Sequence, residues 1–147
     1  MLRMSTAASL ALHAISLLAA NGNRTLSTKE IAARLRASEA HLSKVLQRLA
    51  RVRLVESTRG PKGGFCLAKA GGDIRLLEVY EAIEGPLQDS VCLLGEPVCQ
   101  GEKCILGRLL ETVNRQAREY LAGTTLSDLT DVYGRTQYEK AQEDNQD

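Results

Sequence analysis

Aromatic side chains are nearly missing from this sequence: tryptophan is absent, phenylalanine occurs once, and all aromatics make up 3% of the 147 residues. A core without them must be built from Leu, Ala, Val and Ile, which suits packed helices better than a β-sandwich. Long apolar runs are missing too. The longest, residues 10–20, is interrupted by His13 and Ser16 and falls short of the roughly 20 residues needed to span a bilayer. No charged segment leading to a small-residue cleavage site precedes it, so neither a secretory signal nor a membrane partner is expected. The expected compartment is the cytoplasm. Histidine is scarce as well. His13 and His41 are the only two, in separate helical segments, and no Ser/His/Asp order, phosphate-cradling loop or paired-carboxylate pattern accompanies them. No enzyme is expected.

Internal repeats and low-complexity segments are also absent, so the length fits one domain with an appended dimerisation element. The net charge of +1 conceals a strong asymmetry. Residues 1–69 hold 12 Lys or Arg against 3 acidic residues, a balance of +9, whereas residues 70–147 hold 7 against 15, a balance of −8. A cationic first half joined to an anionic second half implies that only the first meets a polyanion. Four cysteines in a reducing compartment point to metal or redox chemistry rather than to structural disulfides.

Periodicity organises the chain as mainly α with one small β-hairpin. A first helix is predicted over Thr6–Ala20, capped by Ser5 or Thr6, stopped by Asn21-Gly22, and burying Leu10, Ala14, Leu17 and Leu18. Ser27-Thr28-Lys29-Glu30 is a capping box that opens a second helix. After a break at Arg36-Ala37, Ser38 caps a third helix whose Leu42, Val45, Leu46 and Leu49 follow i, i+3, i+4, i+7. The period then changes. Residues 54–57 and 65–68 read as strands around Arg59-Gly60-Pro61-Lys62-Gly63-Gly64, which has the composition of a tight turn. A fourth helix is predicted over 76–83, ended by Gly85-Pro86. Residues 87–103 form a cysteine-bearing loop, and a long helix over 104–122 carries Leu106, Leu109, Leu110, Val113, Ala117, Tyr120 and Leu121 as a wide apolar stripe. A short helix over 127–132 and a polar tail beyond Gly134 complete the chain. The implied domains are 1–85, the loop 86–103, a dimerisation segment 104–132 and the tail 133–147.

Two short capped helices with a tight turn, followed by a hairpin, make a winged helix-turn-helix. The third helix is its candidate reading element. Ser38, Ala40 and His41 occupy its N-terminal end, and His41, Lys44 and Arg48 line up opposite the buried stripe at i, i+3 and i+7. A solvated charged face would account for Lys44 and Arg48 alone. It would not account for Arg59 and Lys62 in a glycine-rich turn whose bare backbone can approach a phosphate or enter a minor groove. The expected partner is a double-stranded DNA operator, with a winged helix used for protein contacts as the rival.

The run Ser57-Thr58-Arg59-Gly60-Pro61-Lys62-Gly63-Gly64-Phe65, the segment from Cys92 to Leu110 and the late Thr124-Thr125-Leu126-Ser127-Asp128-Leu129 together resemble the Rrf2 family of bacterial transcription regulators. The resemblance extends from Met4 to about Leu129. It implies a homodimeric regulator, with repression as the expected sign, that binds near-palindromic operators. It also implies that Arg59 reaches the minor groove and that the helix over 104–122 pairs the subunits.

Cys92, Cys99 and Cys104 are separated by six and by four residues in a loop containing Gly95, Pro97 and Gly101. Such a loop can fold three soft thiolates around one centre, as iron–sulfur clusters require. Structural zinc fits less well, because its sites usually show a closer pair and four ligands. The resemblance implies a [2Fe–2S] or [4Fe–4S] cluster that senses iron, nitric oxide or redox state. A thiol switch without iron is the alternative, and some family members sense by partner binding. Where relatives place a fourth ligand, this chain has Gly107 after the third cysteine and Ala8 or Ser9 in the first helix. His13 is the one candidate left on that helix, acting across a dimer, against its reading as a plain structural histidine. Cys66, alternating with apolar neighbours in a strand, reads as a small core residue.

Overall fold

The computed structural model describes residues 2–89, 92–100, 104–106 and 108–133. Its helices are α1 (Thr6–Ala20), α2 (Thr28–Leu35), α3 (Glu39–Arg51), α4 (Leu76–Glu84) and α5 (Leu109–Gly123), with strands β1 (Val55–Thr58) and β2 (Gly64–Leu67) and 3₁₀ turns at Gly71–Asp73 and Leu126–Leu129. Among the described residues no helix is long and apolar enough to cross a membrane.

The central element is α1. Ser5 caps it by accepting from the Ala8 amide at 3.1 Å, and Ala8, Ala11, Ala14, Ile15 and Leu18 are fully buried. Small alanines let α3, α4 and β2 close around it. More of α1 is enclosed than the single predicted face, while Leu10 is only half-buried. The core includes residues from every helix and continues to Leu121 and Leu126.

The predicted capping box of α2 is formed. The Glu30 carboxylate accepts from the Ser27 amide at 2.7 Å, and the Glu30 amide donates back to Ser27 Oγ at 3.1 Å. These bonds to Ser27 hold the Glu30 carboxyl below the ordinary glutamate range. A depressed folded-state pKa stabilises the fold above the unfolded value, and that contribution disappears as pH falls through the folded value. Ser27→Ala is expected to lose about 1 kcal/mol at neutral pH in urea unfolding. The stability gap between the native chain and Glu30→Gln is expected to narrow on acidification through that window.

The hairpin pairs one residue later in β1, and one earlier in β2, than the pattern indicated. Its register runs from Val55↔Leu67 to Thr58↔Gly64. The Gly63 amide closes the turn on the Gly60 carbonyl at 2.9 Å, while Leu54 bridges the hairpin to α3, its amide donating to Leu49 at 3.0 Å and its carbonyl accepting from Ala68 at 3.1 Å. Leu26, before α2, exchanges both backbone bonds with Phe65 and adds a short third edge to the wing. That contact dictates glycine at 64, where a Cβ would lie 2.4 Å from the Leu26 carbonyl oxygen. Gly64→Ala must push backbone against backbone and is expected to lower stability by about 1–3 kcal/mol in a denaturant titration.

The fourth helix matches the prediction, with Leu76, Val79, Tyr80 and Ile83 buried. The last helix does not. It starts at Leu109 rather than Cys104, and Cys104–Leu106 precede it as turn or irregular backbone. Glycine at 107 costs about 1 kcal/mol of helix propensity, and Ile105 is 92% exposed, so little apolar burial offsets that cost. The segment after α5 forms a 3₁₀ turn at Leu126–Leu129 in place of the predicted helix over 127–132. It is tied to the start of α4 by Leu76 N–H to Thr124 and Leu126 N–H to Ile74, both at 3.0 Å. The tail beyond residue 133 lies outside the described residues.

Candidate nucleic-acid interface and cysteine site

Ser38 caps α3, its hydroxyl accepting from the His41 amide at 3.3 Å. The cap fixes where the helix begins, and so places Ser38 and Ala40 at its exposed tip with half-buried His41 one turn on. Leu42, Val45, Leu46 and Leu49 are buried against the core, which leaves Lys44 on the exposed side. Arg59 and Lys62 are exposed in the wing turn. Among the described residues the ion pairs are Lys69–Glu78, Arg108–Glu111, Arg115–Glu119 and Arg118–Asp89. Lys44, Arg59 and Lys62 therefore have no carboxylate partner among the described residues, and their charge stays available to an anion. Arg48 behaves differently. Its guanidinium donates to the carbonyl of Ile83 at 2.6 Å, turning back onto the end of α4. Nothing in the i, i+3, i+7 pattern marks Arg48 for that partner, 35 positions away.

The three candidate ligands come together. Cys92, Cys99 and Cys104 line one cavity of about 190 Å³ with Leu93, Val98, Ile105 and Leu110. Cys92 and Cys104 are half-buried, and Cys99 is exposed. The amide of Gly95 donates to the Cys92 carbonyl at 3.3 Å, a turn that needs the left-handed φ of 80° found at this glycine. Among the described residues no three His, Cys, Asp or Glu side chains stand close enough together to hold a metal ion. Three thiols on one apolar cavity suit a soft iron–sulfur centre in chemistry, and the loop has to draw in further to ligate one.

His13 does not line that cavity. Its ring Nδ1 lies 2.7 Å from the Ser9 carbonyl, and it faces a separate groove of about 350 Å³ that also holds His41, Arg36 and Ser38. Within one subunit it is not brought to the cysteines. Cys66 lies on β2, half-buried rather than in the core, and it too is absent from the cysteine cavity.

The wide apolar stripe of the last helix resolves into two faces. Leu110 and Leu121 are buried, whereas Leu109, Val113 and Tyr120 are 56, 40 and 60% exposed. Between the buried pair sits Asn114, whose Oδ1 accepts from the Leu2 amide at 3.0 Å. The pattern did not reveal this buried polar anchor, since an asparagine in a helix has no local signature for a partner 112 positions away.

The family model described as Rrf2, iron-dependent transcriptional regulator, matches residues 4–132. The chain belongs to the Rrf2 family. A putative HTH-type transcriptional regulator of Aquifex aeolicus is 31% identical over 125 residues, covering 83% of this chain and 87% of that one. Among solved structures, CymR, described as the global cysteine regulator of B. subtilis, aligns with a TM-score of 0.74 at 30% identity over 88% of this chain and 97% of its own. IscR of T. potens aligns with a TM-score of 0.67 at 27% identity over 87% and 85%. Such relatives are transcription regulators and not enzymes, and the Rrf2 chain described here is a DNA-binding transcription regulator with their winged-helix fold.

Proposed function

We propose that this Rrf2 regulator is a homodimeric repressor whose grip on its operator answers to an iron–sulfur cluster held by Cys92, Cys99 and Cys104. The observation that supports this most is the convergence of those three thiols on one apolar cavity beside Leu110, at the foot of α5. The outward face of that helix, with Leu109, Val113 and Tyr120, pairs with a second copy, which places the cysteine loop next to the subunit contact. Ser38, Ala40 and His41 meet base edges from the tip of α3, Lys44 and Lys62 meet phosphate, and Arg59 reaches the minor groove. When bound, the cluster supplies a centre sensitive to oxidants and nitric oxide. The chain's own part is to hold the three thiolates, to line the centre with Leu93, Val98 and Ile105, and to pass a displacement of Cys92 and Cys104 to α4 and α5. A shift of those helices alters the distance between the two reading helices of a dimer, on which operator fit depends.

The test is iron and sulfide quantitation on anaerobically purified protein, with duplex affinity measured before and after chelation. Stoichiometric iron and a changed affinity are expected. Iron at background would remove the cluster. A second reading has specific support: a cysteine switch without iron accords with the solved oxidized form of Staphylococcus aureus CymR, 26% identical to this chain with a TM-score of 0.70. Affinity that changes on thiol oxidation in iron-free protein would favour it.

A further inference from the structure

The backbone from Ile83 to Asp89 joins α4 to the cysteine loop, and side chains from three different helices hold it. From α3, Arg48 Nη2 donates to the Ile83 carbonyl at 2.6 Å. From α4, the Glu81 carboxylate accepts from the Leu87 amide at 3.0 Å. From α5, Arg118 donates to the Leu87 carbonyl and pairs with Asp89 at 3.1 Å. Between these holds lies Gly85, at the left-handed φ of 81°, and Leu87 is buried. Cys92 follows Asp89 by three positions.

The Ile83 carbonyl belongs to the last turn of α4, where carbonyls lack an intrahelical donor and the helix dipole favours a cation. Arg48 satisfies both demands. It lies one helical turn after Lys44 on the face expected to meet DNA, yet its guanidinium is committed to another helix. We propose that Arg48 is a positioning residue rather than a phosphate contact. It ties the angle of α3 to the 83–89 backbone, and Arg118 ties the same backbone to α5. The covalent backbone from Ile83 to Leu87, held by Arg48 at one end and by Glu81 and Arg118 at the other, thus couples the reading helix to α5 beside the segment that leads to Cys92. This rests on the DNA-binding reading above for its consequence, though not for its geometry.

Duplex affinity of the full-length protein would be measured from 50 to 300 mM salt, using a duplex selected by the native protein from a randomised pool. The variants are Arg48→Met, Arg118→Gln and the double substitution, with Arg48→Gln replacing Arg48→Met if the latter loses its helical circular dichroism. Arg48→Met is expected to bind about fivefold more weakly with the salt slope unchanged. Arg118→Gln is expected to lose a similar factor, and the double variant no more than Arg48→Met alone. A slope lowered by about 0.9 per subunit would make Arg48 a phosphate contact and overturn the proposal. So would losses that multiply. If the native protein shows no salt-dependent duplex binding, the DNA reading fails first, and amide hydrogen exchange then decides the Arg48 link separately. Faster exchange at residues 85–89 in the Arg48 variant supports the link, and unchanged exchange refutes it.

Discussion

Raising salt from 50 to 200 mM is expected to weaken operator binding by about a hundredfold, because Lys44 and Lys62 present four phosphate-facing cations per dimer and each phosphate neutralised adds about 0.9 to the salt slope. These side chains are expected to dominate because carboxylates do not occupy them: the ion pairs among the described residues lie elsewhere. Lys44→Ala should weaken binding to every duplex alike and lower the slope by about 1.8 per dimer. Arg59→Ala should act differently. A side chain in the minor groove reads its width and its A·T content, so its loss should cost about 1–3 kcal/mol on the preferred operator and little on random duplex. Fluorescence anisotropy over a salt series measures both. A flat salt response would leave the winged helix as a protein-contact module.

Alanine at any one of Cys92, Cys99 or Cys104 is expected to abolish the visible absorbance of anaerobically purified protein and bring bound iron to background. Among the described residues the donors lining this cavity are the three thiolates. With one removed, two remain, fewer than the ligand sets by which iron–sulfur clusters are normally held. Cys66→Ala is the control. It lies on β2 outside the cavity and should keep full iron content. His13→Ala tests ligation across a dimer, since His13 faces a different groove in its own subunit. Iron loss in that variant would assign it to the partner's cysteines, and retained iron would leave it the structural role suggested by its contact with Ser9.

Short-range features were readable from the residues alone. The capping box at Ser27 and Glu30 and the cap at Ser38 act over three positions, and both formed as expected. The buried stripe of α3 depends only on helical period, and the wing turn on glycine and proline in six consecutive positions. The segregation of charge, from which the expectation that the basic half meets DNA follows, is likewise a property of order along the chain. Features set by partners far along the chain were not readable. Gly64 is indispensable because of the Leu26 carbonyl, and Asn114 is buried because the Leu2 amide reaches it.

Periodicity marked α5 as broadly apolar, and only packing could divide it into a buried face through Leu110 and Leu121 and an outer face through Leu109, Val113 and Tyr120. The same applies to where that helix starts, since Cys104, Ile105 and Leu106 line the cysteine cavity instead of extending the helix. Arg48 is the sharpest case. Its spacing on α3 matched a DNA-facing cation, and its actual bond to Ile83 became possible only once α4 was laid beside α3. Residue order alone determined the first four helices, the Ser27 and Ser38 caps, the wing turn and the basic half, because each rests on chemistry within a turn or two of backbone. Tertiary structure alone decided which cations stay free, which thiols share a cavity and which face of α5 remains outside, because those depend on groups that only folding brings within reach.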